Sequence, residues 1–195
     1  MNIDNIKRMI ELNTYGNITR KKGMFKNLLL IDLLNDENNN QLINDLESNS
    51  NRTINTKISK YSILYGPRKQ IETILLSLLI KNEGNTFLTQ TSTIIIEDVE
   101  ELERELLFLA NNPLNEKCLR VFLSEISKFI GGCSYQIHYH NTIYKIDTSK
   151  ISFVGLGKLS SLSQRILSDY LIENDVEISE TKLIEKNKVR IKENI

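Results

Sequence analysis

The chain has 195 residues and carries 25 Lys and Arg against 25 Asp and Glu, so its formal net charge is zero. This length suits one domain with a sizeable core, and the balanced charge excludes the broad positive field that recruits nucleic acid or anionic membranes. The cysteines, Cys118 and Cys133, lack metal-ligand spacing and form no disulfide framework, so we expect no zinc and a reducing compartment, cytoplasmic or an organelle matrix. We expect no membrane partner, since no apolar run reaches the length of a membrane span, and no signal peptide.

The first part of the chain carries helix and linker signals. Apolar residues recur at helical spacing over 2–12, and a second helix is predicted over about 18–35. The stretch 35–57 is rich in Asn, Asp and Ser, which is typical of a polar linker, with a short helix at "QLINDLE". We therefore expect N-terminal helices over 1–34 and a linker over 35–57.

From residue 58 onwards, predicted strands alternate with predicted helices. In chain order they are strand 62–65, helix 69–81, strand 85–89, helix 96–112, strand 119–123, a hairpin arm within 134–146, strand 151–157 and helix 160–172. This alternation predicts an α/β core over 58–172 with a mainly parallel sheet. A charged C-terminal tail is predicted over 173–195.

One segment of this core has the layout of a phosphate-binding loop, whose consensus is G-x-x-x-x-G-K-[ST]. Here the residues are "GPRKQIET", from Gly66 to Thr73, and Ile71 and Glu72 replace the second glycine and the lysine. A carboxylate facing phosphate costs about 4 kcal/mol at about 4 Å and an effective dielectric of about 20. Taken alone, an ordinary strand, Gly-Pro turn and helix is the simpler interpretation of these residues.

Five segments, in the same order along residues 3 to 165, resemble ClpX, the AAA+ unfoldase that feeds the ClpP protease. They are "NIKRMIELNTYGNITRKK", "ILYGPRKQIET", "IEDVEELERELLFLANN", "LRVFLSEISKF" and "IDTSKISFVGLGKLSSL". They are similar, respectively, to the family's V-I-G-Q-x-x-A-K-K signature, its L-x-G-P-T-G-S-G-K-T loop, a helix beginning G-E-D-V-E, the Walker B segment V-Y-I-D-E-I-D-K-I, and the sensor strand V-D-T-S-K-I-L-F-I-C-G-G-A-F. The resemblance implies an AAA+ large domain, a P-loop NTPase-like parallel sheet with flanking helices, whose small C-terminal domain is largely missing.

The resemblance also implies a set of site residues. Nucleotide contacts, to ATP or ADP with magnesium, fall on Gly66, Pro67, Arg68, Lys69, Thr73 and Ser124. Glu125 stands at the family's water-activating glutamate, while Ser124 replaces the aspartate that positions magnesium. Ile94 and Ile95 stand where the family's pore loop grips a polypeptide substrate. Because these departures fall on the chemistry, we do not expect tight ATP binding.

Plainer interpretations stand beside these sites. Glu125 fits a leftover carboxylate at a strand end, and the acidic helix face from Glu97 to Glu105 fits a solvated surface. His138 and His140 share one face of a strand and could bind a metal, but no third ligand is placed nearby. An exposed strand pair is the simpler interpretation of the two histidines.

Three functional hypotheses remain. The leading one is a catalytically impaired ClpX-like subunit that acts by association with ClpX-like AAA+ subunits or a ClpP-type protease, without nucleic acid. The second is a weakly active ATP-dependent protein unfoldase, and the third is a remnant without function. The sequence does not separate the first hypothesis from the third.

Overall fold

The structure is a computed structural model, and it describes residues 26–33, 44, 53–58, 66–84, 92–173 and 176–183. Its strands are β1 Lys26–Leu33, β2 Thr53–Thr56, β3 Thr93–Ile96, β4 Ser134–Tyr139, β5 Thr142–Asp147, β6 Ser152–Leu156 and β7 Val176–Leu183. Its α-helices are α1 Pro67–Lys81, α2 Val99–Ala110, α3 Glu116–Gly131 and α4 Ser161–Glu173. Short 3-10 turns cover Pro113–Asn115 and Thr148–Lys150. The predicted helix 2–12 and strands 62–65 and 85–89 lie outside the described residues.

Five strands form one parallel sheet in the order β2-β3-β6-β1-β7. Inside the sheet, Leu29 of β1 lies opposite Val154 of β6 on one side and Ser179 of β7 on the other. The predicted α/β class is confirmed, since a parallel sheet is flanked by helices. The arrangement is compatible with a P-loop-like fold.

The connections between strands change direction once. From β1 the chain crosses to β2 at one edge, and the later connections, β2 to β3, β3 to β6 and β6 to β7, run back towards the other edge. Because parallel crossovers are right-handed, these later connections place α1 to α4 on one face, and α3 accordingly contacts α1, α2 and α4. The carboxyl ends of β1 and β6 form the topological switch point, where open α/β sheets bind ligands.

The core lies between the sheet and these helices. Leu28 and Leu30 of β1 and Phe153 of β6 join one apolar cluster with the helices, and Phe129 of α3 meets the Phe153 ring edge-on at 4.9 Å. Side chains of the opposite face are buried as well: Leu29, Ile31, Ile95, Val154 and Leu156. Both faces are therefore covered, which is the usual condition of a parallel sheet.

A glycine in β6 allows α2 to start close to the sheet. A Cβ atom at Gly155 would lie 2.7 Å from Cδ2 of Leu30 and 2.8 Å from Cγ2 of Val99. Such distances are shorter than van der Waals contact, so the first turn of α2 packs where a side chain would otherwise stand. The glycine thereby positions the residues that precede α2.

The antiparallel hairpin β4–β5 confirms the hairpin arm that the alternating sequence predicts. It forms a sheet of its own, apart from the main sheet. Its turn is made by His140 and Asn141, whose positive φ angles of 46° and 58° suit a tight hairpin connection. At the base of the hairpin, the Thr148 hydroxyl accepts from the Cys133 N–H at 2.9 Å and donates to the Cys133 carbonyl at 3.2 Å. These bonds close the hairpin where the chain enters β6.

Three segments differ from the predicted organisation. Lys26–Leu33, expected in a helix, is strand β1, and Thr53–Thr56, expected in a linker, is strand β2. Val176–Leu183, expected in a polar tail, is strand β7 and pairs with β1 along its length. Asn44, within "QLINDLE", is helical as expected. For β1 the physical reason is that an apolar run shows no alternation and can also suit a helix, whereas β2 and β7 are polar enough to suit a linker or tail and become strands through pairing with distant parts of the chain.

The predicted strand 119–123 is wrong, because these residues lie in α3. The run "LRVFL" is apolar and compact, but it continues into a longer pattern of helical period. The buried residues of α3 are Phe122, Leu123, Ile126, Ser127, Phe129 and Ile130. Their spacing of three and four residues places them on one helix face.

Candidate functional site

The segment Gly66–Thr73 is helical almost from its first residue. Gly66 is the N-cap of α1, with φ of 79°, and the helix begins at Pro67. In a helix only the first N–H groups lack an internal partner, and proline has none to offer. The Thr73 hydroxyl donates to the Lys69 carbonyl at 3.0 Å, within the helix. These residues therefore form no extended loop that could wrap a phosphate chain.

The charged side chains at the start of α1 interact with one another and with a neighbouring ring. Arg68 and Lys69 are exposed, and Arg68 Nε lies 3.5 Å from Oε1 of Glu72. The Arg68 guanidinium also lies over the Tyr135 ring, 5.4 Å from its centroid. Glu72 thus offsets the nearest cation that could have replaced the missing lysine of the motif.

Ser124 and Glu125 lie within α3, which corrects their predicted position at the end of a strand. The Ser124 carbonyl accepts a hydrogen bond from the Ser127 hydroxyl at 3.1 Å. Oε2 of Glu125 is buried and has no hydrogen-bond partner. A base that activates water needs the water and the phosphate within reach, and a mid-helix residue away from the strand ends does not provide this arrangement.

Tyr135 interacts with one residue of each predicted position, Arg68 of the phosphate loop and Glu125 of the base. It is 1% exposed, and its hydroxyl has no hydrogen-bond partner. Burial raises the pKa of the Tyr135 phenol, and the negative charges of Cys133 and Glu125 raise it further. Arg68 thus lies over the ring of a buried phenol, and the charge of Glu125 acts on the same phenol.

Ile94 and Ile95 lie in β3, not in a loop. Both side chains are 0% exposed, and the strand is paired with β2 and β6. A residue with no accessible surface cannot grip a polypeptide, so the structure contradicts their placement in a pore loop.

The acidic pair Glu97 and Asp98 follows β3 at the carboxyl edge of the sheet. The Asn55 amide of β2 donates to Oε1 of Glu97 at 2.5 Å, and the Glu97 N–H donates to the Thr56 carbonyl at 2.7 Å. Asp98 caps α2 by accepting from the Glu101 N–H at 3.3 Å. This pair was not among the predicted site residues. Three isoleucines followed by two acids are nevertheless the signal of a buried strand that ends in carboxylates.

The acidic face of α2 is not a solvated surface throughout. Glu105 is buried, at 3% exposure, and Glu100 and Glu103 bind backbone groups that follow β6. His138 is exposed on the outer face of the hairpin, as expected, whereas His140 lies in its turn. Among the residues that the structure describes, no cluster of His, Cys, Asp and Glu could hold a metal ion.

No protein-family model matches the chain, and no curated protein matches it significantly. Within the described ranges, no helix is both long and apolar enough to cross a membrane.

Proposed function

We propose that the chain is a catalytically inactive, AAA+-like subunit with the architecture of the ClpX large domain, and that it acts by association with ClpX-like AAA+ subunits or a ClpP-type protease. The observation that carries this proposal is the acidic carboxyl edge of the sheet beside the switch point. There β3 is followed by Glu97 and Asp98, and the Lys158 N–H after β6 already donates to Glu100, whereas nucleotide binding requires a glycine-rich turn, a lysine and free N–H groups.

The strand order favours a nucleotide position at the switch point and not at Gly66–Thr73. A phosphate-binding loop belongs after a strand that ends at the switch point, and in this sheet β1 and β6 both end there. The sequence from Asp32 to Asn40, "DLLNDENNN", contains three acids and neither glycine nor lysine. After β6 the chain carries Gly157 and Lys158, but the Lys158 N–H is already bound to Glu100.

The Walker B resemblance can likewise be placed at a second position in the chain. The family segment V-Y-I-D-E-I-D-K-I shares four identical positions with "VFLSEISKF", residues 121–129, and one with "IIIEDVEEL", residues 94–102, but only the second segment lies at the end of a strand. In this register, Glu97 and Asp98 take the places of the magnesium-positioning aspartate and the glutamate base, in reversed order. Both carboxylates already accept hydrogen bonds from Asn55 and from the start of α2.

Electrostatics supports inactivity more strongly than the loss of any one residue. Each carboxylate within about 4 Å of a phosphate charge costs about 4 kcal/mol at an effective dielectric of about 20. A nucleotide at the carboxyl ends of β3 and β6 would meet the two carboxylates Glu97 and Asp98, and Lys158 after β6 offsets at most one of these charges. Binding is therefore disfavoured even if single side chains turn away.

The test of inactivity is isothermal titration calorimetry with ATP and magnesium. We expect no binding at micromolar concentration, and no difference between the native chain and Thr73→Ala or Asp98→Asn. Micromolar binding that Thr73→Ala or Asp98→Asn abolishes would instead support the second hypothesis, a weakly active unfoldase.

The test of association is recovery of partners by the tagged chain from a lysate of its own cells. We expect a ClpX-like ATPase or a ClpP-type protease among the recovered proteins, identified by mass spectrometry. A structure-disrupting variant, Leu30→Asp, serves as the control for non-specific recovery. Recovery of neither class, together with no ATP binding, would support the third hypothesis, a remnant.

A further inference from the structure

We infer that Glu100 and Glu103 form a latch, two carboxylates of α2 that hold residues 157–160 and the first turn of α4 over the carboxyl edge of the sheet. When the two carboxylates release this segment, the carboxyl edge of the sheet opens locally. The latch does not depend on nucleotide binding or on the partner proposed above.

The first half of the latch is a close contact between Glu100 and the backbone after β6. Oε1 of Glu100 accepts from the Lys158 N–H at 3.2 Å. Gly157 has φ of 130°, and a Cβ atom there would lie 2.5 Å from Oε2 of Glu100. The carboxylate therefore occupies the space that a side chain at this position would need.

The second half joins Glu103 to the start of α4. Its oxygens accept from the Ser160 N–H at 3.4 Å, and Oε1 accepts from the Ser163 hydroxyl at 2.9 Å. The Ser160 hydroxyl in turn accepts from the Ser163 N–H at 3.2 Å and so caps the helix. One carboxylate thus fixes both the cap and the first turn of α4.

These contacts lie where local opening of the segment would change solvent access to the carboxyl edge of the sheet. The held segment follows β6, whose carboxyl end lies beside that of β1 at the switch point. Leu159 and Leu167 are the buried apolar anchors on either side of the first turns of α4, whereas Leu162 is 48% exposed. Because Leu159 is the one buried apolar side chain described over residues 157–163, the polar latch contributes much of what holds this short segment, which is the condition for local opening below the global unfolding limit.

Amide hydrogen exchange tests the latch with Glu100→Gln, Glu103→Gln and the double variant. A hydrogen bond to a charged acceptor is stronger than one to a neutral amide, so we expect the amides of Lys158 and Ser160 to exchange about tenfold faster or more in the double variant. The Leu29 amide, in the interior strand β1, reports global unfolding; its exchange should stay steeply dependent on urea, whereas exchange of Lys158 and Ser160 should depend little on urea. Glu116→Gln, which alters an exposed carboxylate paired with Arg120, is the matched control.

Two outcomes would overturn the latch. Unchanged exchange of Lys158 and Ser160 in the double variant would show that the carboxylates do not hold the segment. Exchange of Lys158 and Ser160 that rises with urea as steeply as that of Leu29 would show that only global unfolding releases the segment and that it is no local unit. Faster trypsin cleavage after Lys158 in the double variant, but not in Glu116→Gln, is the independent second measurement expected of the latch.

Discussion

At the scale of single residues, Gly155 is where the backbone spacing of the fold is most tightly constrained. Its missing side chain leaves room for Leu30 and Val99 to meet over β6. Any side chain there must push α2 away from the sheet, and α2 begins directly after the acidic pair. A local steric requirement thus fixes the position of a candidate site.

We expect Gly155→Ala to lower the free energy of unfolding by about 1–3 kcal/mol, because the added methyl overpacks a filled core. Gly66→Ala is the matched control, since a Cβ at Gly66 meets nothing within 4 Å and only the positive φ of 79° opposes it. That strain costs about 1–2 kcal/mol. Urea denaturation measures both changes, and unaltered stability of Gly155→Ala would show that α2 can withdraw without cost.

Tyr135 leads to a pH prediction at the same scale. Burial, and then the charges of Cys133 and Glu125, raise the pKa of this phenol above its ordinary value of 10.0. Tyr135 therefore contributes its full stability below pH 10, and this contribution declines above it because the unfolded chain ionises first. The decline is at most about 1.4 kcal/mol per pH unit.

We expect Tyr135→Phe to flatten the fall in unfolding free energy between pH 10 and 11, measured by urea denaturation. At pH 7 the change should be small, because the hydroxyl that is removed is buried without a hydrogen-bond partner. Identical alkaline slopes in the native chain and the variant would contradict the assignment.

At the scale of elements, the 3-10 turn Thr148–Lys150 connects the hairpin to the main sheet. Asp147 accepts from the Ser149 N–H at 3.0 Å, and Thr148 bonds both backbone groups of Cys133. The segment "IDTSK", quoted above for its family resemblance, therefore has a structural role as well. It closes the hairpin and starts β6.

We expect Thr148→Val, which keeps the shape of the side chain, to destabilise the protein by about 1–3 kcal/mol, since it leaves the Cys133 N–H without that acceptor. Thr142→Val, at the exposed tip of the hairpin, should cost less than about 0.5 kcal/mol. Thermal or urea unfolding measures the pair. Equal effects of the two substitutions would show that the bonds to Cys133 contribute little.

The latch also belongs to this scale, because it joins two helices. Burial raises the pKa of Glu103, but the hydrogen bonds from Ser160 and Ser163 outweigh it, so the pKa lies below its ordinary value of 4.5. The stability that Glu103 contributes is therefore complete above pH 4.5 and is lost as the pH falls through the folded-state value.

We expect Glu103→Gln to remove part of this acid dependence, so that unfolding free energy falls less steeply between pH 5 and 3 than in the native chain. Glu116→Gln should retain the native slope. Urea denaturation at each pH measures the slopes, and parallel curves for the native chain and Glu103→Gln would argue against a charged latch.

Elements whose pattern is amphipathic could be predicted from the sequence, and so could the buried strand β6, within the predicted strand 151–157, whereas β1 and β3 could not. The hairpin and α2 each alternate polar and apolar residues at a clear period, and both are confirmed. β1 and β3 are apolar on both faces, so no period distinguished them from a helix or a loop. Likewise, a motif such as Gly66–Thr73 specifies residue types, but the backbone that gives them chemical meaning depends on where the helix begins.

At the scale of the whole molecule, the sheet is held together by pairings between distant parts of the chain. β1 begins the described sheet, yet its neighbours β6 and β7 come from the last third of the described chain. The interior of the sheet can therefore form only when nearly all of the chain is in place. Long-range parallel pairing of this kind makes folding slow and unfolding cooperative.

We expect native-state hydrogen exchange to reflect this arrangement, with Leu29 and Val154 exchanging only through global unfolding. The amides of β2, which in the described sheet pairs on one side with β3, should exchange at least about tenfold faster through local opening. A denaturant series separates the two routes, because exchange through global unfolding accelerates steeply with urea whereas local opening does not. If β2 exchanges as slowly as β1 and with the same urea dependence, then β2 opens only with the whole sheet and is not a separate local unit.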